Sequence, residues 1–473
     1  MNTPLRNTRR FIKPLMVATT IALAATQAFA AGEAKNVIFF LGDGMGPVTV
    51  TASRIYKYGE TGKLTMETLP RTARIRTYTL DAQTPDSAPT MSAYMTGVKM
   101  RNEVLSMDAN TFAKPPSKDT TVTPNVGNAV NNCPTTGNGA AVPTLLEQAI
   151  SKGKASGVVT TARLTHATPA ATYSHICHRD AEYDISRQAV PGGVGFNPAL
   201  GNGIDVLMGG ISYYWKPYDS TTNPRGRPDG RDLVAELKAK GYTAVNDLAS
   251  FNAAPVTGPL VGLFDQALAQ GHMSYELDRD ATKEPSLAQM TTKAIDILSK
   301  NPKGYFLMVE GGRIDHALHG TNAKRALADT ISFDDAIKAA LGKVDLSNTL
   351  IVVTADHDHT MALNGYSHLG NDILGKTTDI KTKKPVLAAD GKPFTTLVFG
   401  NGLSPRNSVR DDITNVDTSG NKDYTQDVGV PLSSETHGGG DVMLFAAGAG
   451  SNIFKGSLDN TKVFGLVRQA FGF

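Results

Sequence analysis

Short, continuous apolar runs that stop abruptly at polar residues recur along the chain. Val37 to Leu41 leads into Gly42-Asp43-Gly44, and Gly157 to Val159 leads into Thr160-Thr161-Ala162-Arg163. Tyr305 to Val309 ends at Glu310-Gly311-Gly312, and Leu350 to Thr354 ends at Ala355-Asp356-His357. Runs without alternation suit strands buried on both faces of a parallel sheet. Helical periodicity fills the intervals, over Val142–Lys152, Asp232–Lys240, Leu287–Ser299 and Ala323–Leu341. This alternation predicts an α/β fold with a doubly wound, mostly parallel central sheet and helices on both faces. Ligands of such sheets gather beyond the carboxyl ends of the strands, where the polar clusters fall.

Three stretches break the pattern. Residues 109–141 are rich in Asn, Thr, Pro and Gly and read as a long loop. Residues 188–230, with the single tryptophan Trp215, read as an irregular insertion, and residues 364–436 as an insertion that interrupts the sheet. Within 473 residues the charged share of 19% speaks against charge-driven disorder and for a large core. We therefore expect a single domain over residues 31–473 with loops at 109–141 and 188–230. Residues 1–30 read as a secretory signal peptide: Arg6, Arg9, Arg10 and Lys13, an apolar stretch, then Ala28-Phe29-Ala30. Thr8 to Lys13 partly matches a twin-arginine signal, which leaves both export routes open. No later apolar run reaches membrane-spanning length, so the mature protein is expected to be periplasmic or secreted, without a membrane span. The signal supplies the excess charge: the net +3 becomes −1 over the remaining 43 basic and 44 acidic residues. That balance provides no electrostatic reason to expect nucleic acid or anionic lipid as partner. Cys133 and Cys177 are the only cysteines; one disulfide is the expectation in an oxidising compartment, with metal ligation as the competing reading.

The strand ends carry acids and imidazoles: Asp43, Glu310, Asp315, His319, Asp356, His357 and His437. Carboxylate and imidazole without thiolate suit Zn²⁺ or another divalent ion in a catalytic site. Asp315 and His319, spaced i,i+4, fall on one helix face. Each residue alone could be a helix cap or a solvated side chain; together, at corresponding strand ends, they point to metal. Ser87, after Asp86 and before a helical pattern, is either an ordinary cap or a nucleophile at a helix N-terminus, where free N–H groups favour phosphate. A serine nucleophile needs a base or a metal to activate it, and the acid and histidine cluster offers one.

These residues resemble those of the secreted alkaline phosphatase family. The matching segments are Asn36 to Gly46, Asp86-Ser87-Ala88, Val158 to Ala170, Val309 to His319, Thr354 to His357 and Glu435 to Gly439, in the family's order. The resemblance implies hydrolysis of small phosphate monoesters of broad range through a phosphoseryl intermediate on Ser87, with activity rising toward alkaline pH. It implies one Zn²⁺ on Asp315, His319 and His437, a second Zn²⁺ on Asp43, Asp356 and His357, and Mg²⁺ on Asp43, Thr168 and Glu310. Arg179 would grip two phosphate oxygens. It also implies a homodimer, with the 364–436 insertion forming a crown over the pocket.

His166 and His316 match the animal branch of the family, where they would act through water on the third ion and on the phosphate. That leaves the third ion's identity open. Phe264, with Asp265 and Glu284, falls near the animal members' peripheral Ca²⁺ site, and surface acids are the alternative reading of that pair. Sulfatases of the superfamily need an arginine where Met91 stands, and related phosphodiesterases usually carry Thr as nucleophile without the arginine clamp. A non-catalytic metal- or phosphate-binding protein would be expected to lose Ser87 or Arg179, and both are present.

Overall fold

The computed structural model describes residue 1 and residues 33–121, 126–264, 271–403 and 410–473. The expected signal peptide, Met1 apart, and Asp265 lie outside the described residues. Among those residues, ten strands join one sheet: β1 (Asn36–Gly42), β2 (Arg71–Arg76), β3 (Ala155–Arg163), β4 (Val206–Gly210), β5 (Thr243–Val245), β6 (Leu260–Phe264), β7 (Tyr305–Gly311), β8 (Thr349–Ala355), β9 (Val442–Gly448) and β10 (Gly456–Asp459). Their order is β10-β2-β9-β8-β1-β7-β3-β4-β6-β5. All neighbours from β8 to β5 are parallel. β9 runs antiparallel to β8 and β2, and β10 parallel to β2.

The continuous apolar runs form the centre of this sheet. Every residue of β7 and β8 is buried, as is β1 from Val37 onward, and each large apolar side chain so placed contributes about 1.5–3 kcal/mol. Helices surround the sheet, among them α1 (Ser87–Thr96), α2 (Ala167–Tyr173), α3 (Leu287–Leu298), α4 (Arg313–His319) and α5 (Ala323–Leu341). Helix α3 starts at a Ser286/Gln289 capping box and packs on α5. Register then sets the site. Gly42 of β1 pairs with Gly311 of β7 and with Ala355 of β8, while Thr160 of β3 pairs with Glu310. Asp43 and Asp356 therefore leave the sheet at one level of its carboxyl edge, with Glu310, paired with Leu41, just inside that edge.

Residues 188–230 differ from the sequence expectation. They contain β4, buried along its length between β3 and β6, so this stretch is not an insertion throughout. Val206-Leu207-Met208 is too short, and too soon followed by two glycines, to register as a core strand. The 109–141 loop holds a small ladder of Ser117–Asp119 against Val126–Val130. Residues 364–436 contribute Leu397–Leu403 and Val428–Leu432 to a separate three-stranded sheet with Met361–Leu363. No helix among the described residues is long and apolar enough to cross a membrane.

Cys133 and Cys177 form a disulfide with Cα atoms 5.7 Å apart, which removes their metal-ligating reading. The bond ties the 109–141 loop to the segment just before Arg179 across a sequence separation of 44. Loop-closure entropy for that length corresponds to about 4 kcal/mol. Thermal melts of the Cys133→Ser/Cys177→Ser double variant should show a lower Tm than wild type, and wild type under reductant should match the variant.

Candidate active site

Ser87 opens α1, and its position is set by Asp86. The Asp86 carboxylate accepts from Ala88 N at 2.8 Å as the helix cap. The same oxygen accepts from Arg179 Nη1 at 2.7 Å. One side chain thus anchors both the serine helix and the guanidinium. Ser87 is buried, its Oγ 3.1 Å from His357 Nε2 and 3.4 Å from Asp43 Oδ1. Gly44 has φ +65, and a Cβ there would stand 2.4 Å from the His359 ring, so only glycine allows the turn after Asp43 to close over that histidine.

Two groups of potential ligands adjoin beside Ser87, the His357 and His437 rings stacking 3.5 Å apart between them. In one, His357 Nε2 is 3.3 Å from Asp43 Oδ1 and 3.4 Å from Asp356 Oδ2. In the other, Asp315 Oδ1 lies 3.3 Å from His319 Nε2 and 3.5 Å from His437 Nε2. Three imidazoles turn Nδ1 to backbone carbonyls: His319 to Glu435 O at 2.6 Å, His357 to Asp358 O at 3.1 Å and His437 to Pro85 O at 2.7 Å. Each Nδ1–H donates there, which leaves Nε2 as the ligand atom facing inward, the orientation that metal-binding histidines use.

A third group lies deeper. Ligand atoms of Asp43, His166 and Glu310 come within 4.8 Å of one another. Asp43 Oδ2, His166 Nδ1, Thr168 Oγ1 and Glu310 Oε1 are buried without a hydrogen-bond partner. Buried polar atoms are normally satisfied, and converging carboxylate oxygens repel unless a cation lies between them. The donor chemistry of all three groups therefore fits divalent cations.

Electrostatics agree with that reading. Burial, reinforced by the Asp43 charge, pushes the Glu310 carboxyl well above its ordinary range. Burial and Asp43 raise Asp356 to about 7. For Asp315 burial works the other way, yet His319 and the bonds from His359 and His437 hold its carboxyl well below the usual carboxylate range. Burial drops His437 to about 4, assisted by the His357 charge.

The structure brings together Ser87, Arg179 and every acid and histidine of the two zinc sets and the magnesium set expected from sequence. His316 sits beside them, its ring 5.3 Å from that of His166 and its Nδ1 3.2 Å from Arg313 Nη1. Phe264 ends β6, fully buried, with its carbonyl accepting from Ile211 N at 3.3 Å. Glu284 is fully buried too, so the surface-acid reading does not hold for it; its Oε1 accepts from Ser274 N at 3.0 Å. Sequence reasoning missed His359. Its Nε2 is 2.7 Å from Asp315 Oδ1 and its Nδ1 2.6 Å from Glu435 Oε2, so it clamps a carboxylate at each end. The only hint was its place two residues beyond His357.

A family model described as alkaline phosphatase matches residues 34–473. The chain is 38% identical over 453 residues to an alkaline phosphatase of Gadus morhua, spanning 90% of this chain and 89% of that one. It is likewise 38% identical over 453 residues to the tissue-nonspecific alkaline phosphatase of Homo sapiens, spanning 89% and 81%. The solved alkaline phosphatase of Thermus thermophilus shares the fold, with a TM-score of 0.66 at 24% identity and 96% coverage of each chain.

Proposed function

This chain belongs to the alkaline phosphatase family and is a phosphoric monoester hydrolase; from that premise we propose that it works through a phosphoseryl intermediate on Ser87. The observation that carries the reading is the buried Ser87 Oγ at a helix N-terminus, 3.1 Å from His357 Nε2 and 3.4 Å from Asp43 Oδ1, two members of a candidate ligand cluster. Asp315, His319 and His437 would hold one Zn²⁺, and Asp43, Asp356 and His357 a second. Asp43, Thr168 and Glu310, with His166 close by, would hold Mg²⁺. Such ions, when bound, lower the pKa of a hydroxyl or water and neutralise charge on the transferring phosphoryl group.

The protein's own groups do the positioning. Helix α1 presents Ser87 Oγ with its proton toward Asp43 and His357, and its free N–H groups favour an anionic ligand. Arg179, anchored at Asp86 and with Nη2 3.0 Å from His166 Nε2, offers its fork to two phosphate oxygens. Ser87 Oγ attacks phosphorus and the alcohol departs in line; water then hydrolyses the phosphoserine, freeing inorganic phosphate and restoring the hydroxyl. Recognition confined to the phosphate would admit a broad range of monoesters, and the need for an ionised Ser87 hydroxyl and an ionised water would make activity rise toward alkaline pH. The disulfide supports a periplasmic or secreted location. Exposed Tyr366 and Leu369, 91% and 77% accessible, support a homodimer contact on the 364–436 region.

Turnover of an aryl phosphate, an aryl phosphodiester and an aryl sulfate at equal concentration tests the substrate class. The monoester should exceed both others by at least about a thousandfold in kcat/KM, a difference in transition-state binding of about 4 kcal/mol. Arg179→Ala should raise the inhibition constant for inorganic phosphate about 10–100-fold, since a charge-assisted fork is lost. A phosphodiester preference would refute the proposed substrate selectivity, and an unchanged phosphate constant would refute the phosphate-gripping role of Arg179.

A further inference from the structure

Behind the third ligand group lies a histidine outside all three ligand sets. His272 is buried, and its backbone rests against β4: a Cβ on Gly210 would come within 2.9 Å of His272 Cα. The next residue ties back to β3, Met273 N donating to Thr161 O at 3.1 Å. Both His272 ring nitrogens face Arg163, with Nδ1 3.2 Å from Arg163 N and Nε2 2.7 Å from Arg163 Nη1. Arg163 is itself forked on Glu182, at 2.9 Å through Nε and 2.9 Å through Nη2. Both ring nitrogens thus lie against Arg163 donors, of which a neutral imidazole accepts one, and His272 is not aimed at a cation. Its ring instead packs 4.0 Å from the centre of the His316 ring and 5.5 Å, edge on, from that of His166.

We propose that His272 is a positioning residue: its ring, fixed by Glu182 through Arg163, holds the His166 and His316 imidazoles in the orientation that serves the third cation and the phosphate. The physical basis is steric. A histidine has few rotamers, and a neighbouring ring in van der Waals contact removes the competing ones. Groups that orient metal ligands from behind are worth about 10–100-fold in metal affinity. This inference rests on the proposed role of the Asp43/Thr168/Glu310 group, and the experiment separates the two.

Wild type, His272→Asn and His272→Phe are dialysed against graded free Mg²⁺ and Zn²⁺, and metal per chain is read by mass spectrometry. Binding of inorganic phosphate is measured by calorimetry on the same samples. His272→Asn keeps a polar partner for Arg163 but removes the ring; His272→Phe keeps the ring and removes the nitrogens. His272→Asn should bind the third ion about 10–100-fold more weakly and phosphate more weakly as well, with the two zinc ions retained as evidence of an intact fold. His272→Phe should recover most of both losses. Third-ion and phosphate binding unchanged in His272→Asn would overturn the proposal, as would a His272→Phe variant as weak as His272→Asn. Should His272→Asn lose all its metal, Glu182→Gln carries the same test by loosening Arg163 from outside the ring cluster. Glu310→Gln is the control: if it weakens the third ion and His272→Asn does not, only the positioning role falls. If Glu310→Gln also binds normally, the assignment of the third site falls with it.

Discussion

Ser87→Ala is expected to lower kcat/KM for an aryl phosphate by at least about a thousandfold, with the metal content of the protein nearly unchanged. Its Oγ is the hydroxyl that both Asp43 and His357 approach. Nearby Thr90 cannot replace it, because Thr90 Oγ1 donates to the carbonyls of Asp86 at 3.0 Å and Ser87 at 3.1 Å. The methyl of alanine leaves the Asp86 cap and the backbone partners of His319, His357 and His437 in place, so the loss should fall on chemistry rather than folding. Two measurements check this: steady-state turnover, and mass spectrometry of acid-quenched samples, in which wild type carries a phosphorylated Ser87 peptide and the variant none. Full activity in the variant would contradict the nucleophilic role.

Removing the metal is expected to abolish turnover and to lower Tm by several degrees, because ions that bind only the folded chain stabilise it by mass action. The stripped protein should also become sensitive to alkali. Burial opposes charge on His357, but Asp356 and Asp43 outweigh it and hold this histidine up to about 10. His359 is held up to about 9, burial again opposed by its bonds to Asp315 and Glu435. Unfolded histidines titrate near 6.5. A base whose value is higher in the folded state contributes stability that is complete below the unfolded value and is lost as pH rises through the folded one. The Tm of the chelated protein should therefore fall between about pH 6.5 and 10. With the ions restored, cations rather than protons balance the carboxylates, and that slope should flatten. Melts with and without chelator at pH 7 and pH 10 decide the matter; parallel slopes would mean that the carboxylate cluster is not where the ions bind.

Some of this was legible in the residues. Unbroken apolar runs marked β1, β3, β7 and β8, because a strand covered on both faces has no polar period to hide it. The polar residues at their ends marked the site, because parallel strands carry their ligands at one edge. Other parts depend on contacts that no local pattern carries. His359 meets Asp315 across 44 residues and Glu435 across 76, and Arg163 reaches His272 across 109. β4 went unseen because three apolar residues before a glycine pair look like many turns. Arg179 was visible only through family resemblance; nothing around it in sequence announces that Asp86, 93 positions earlier, is its anchor.

The bond from His437 Nδ1 to Pro85 O joins positions 352 apart, and this has a bearing on biosynthesis. A chain still emerging from the ribosome possesses Asp43 and Ser87 long before it possesses the imidazole that faces them. A chain that stops short of His437 lacks that imidazole and also β9, the strand between β8 and β2, so on the proposed ligand sets the His437 group is complete only once synthesis has passed it, and a product terminated earlier should be inert.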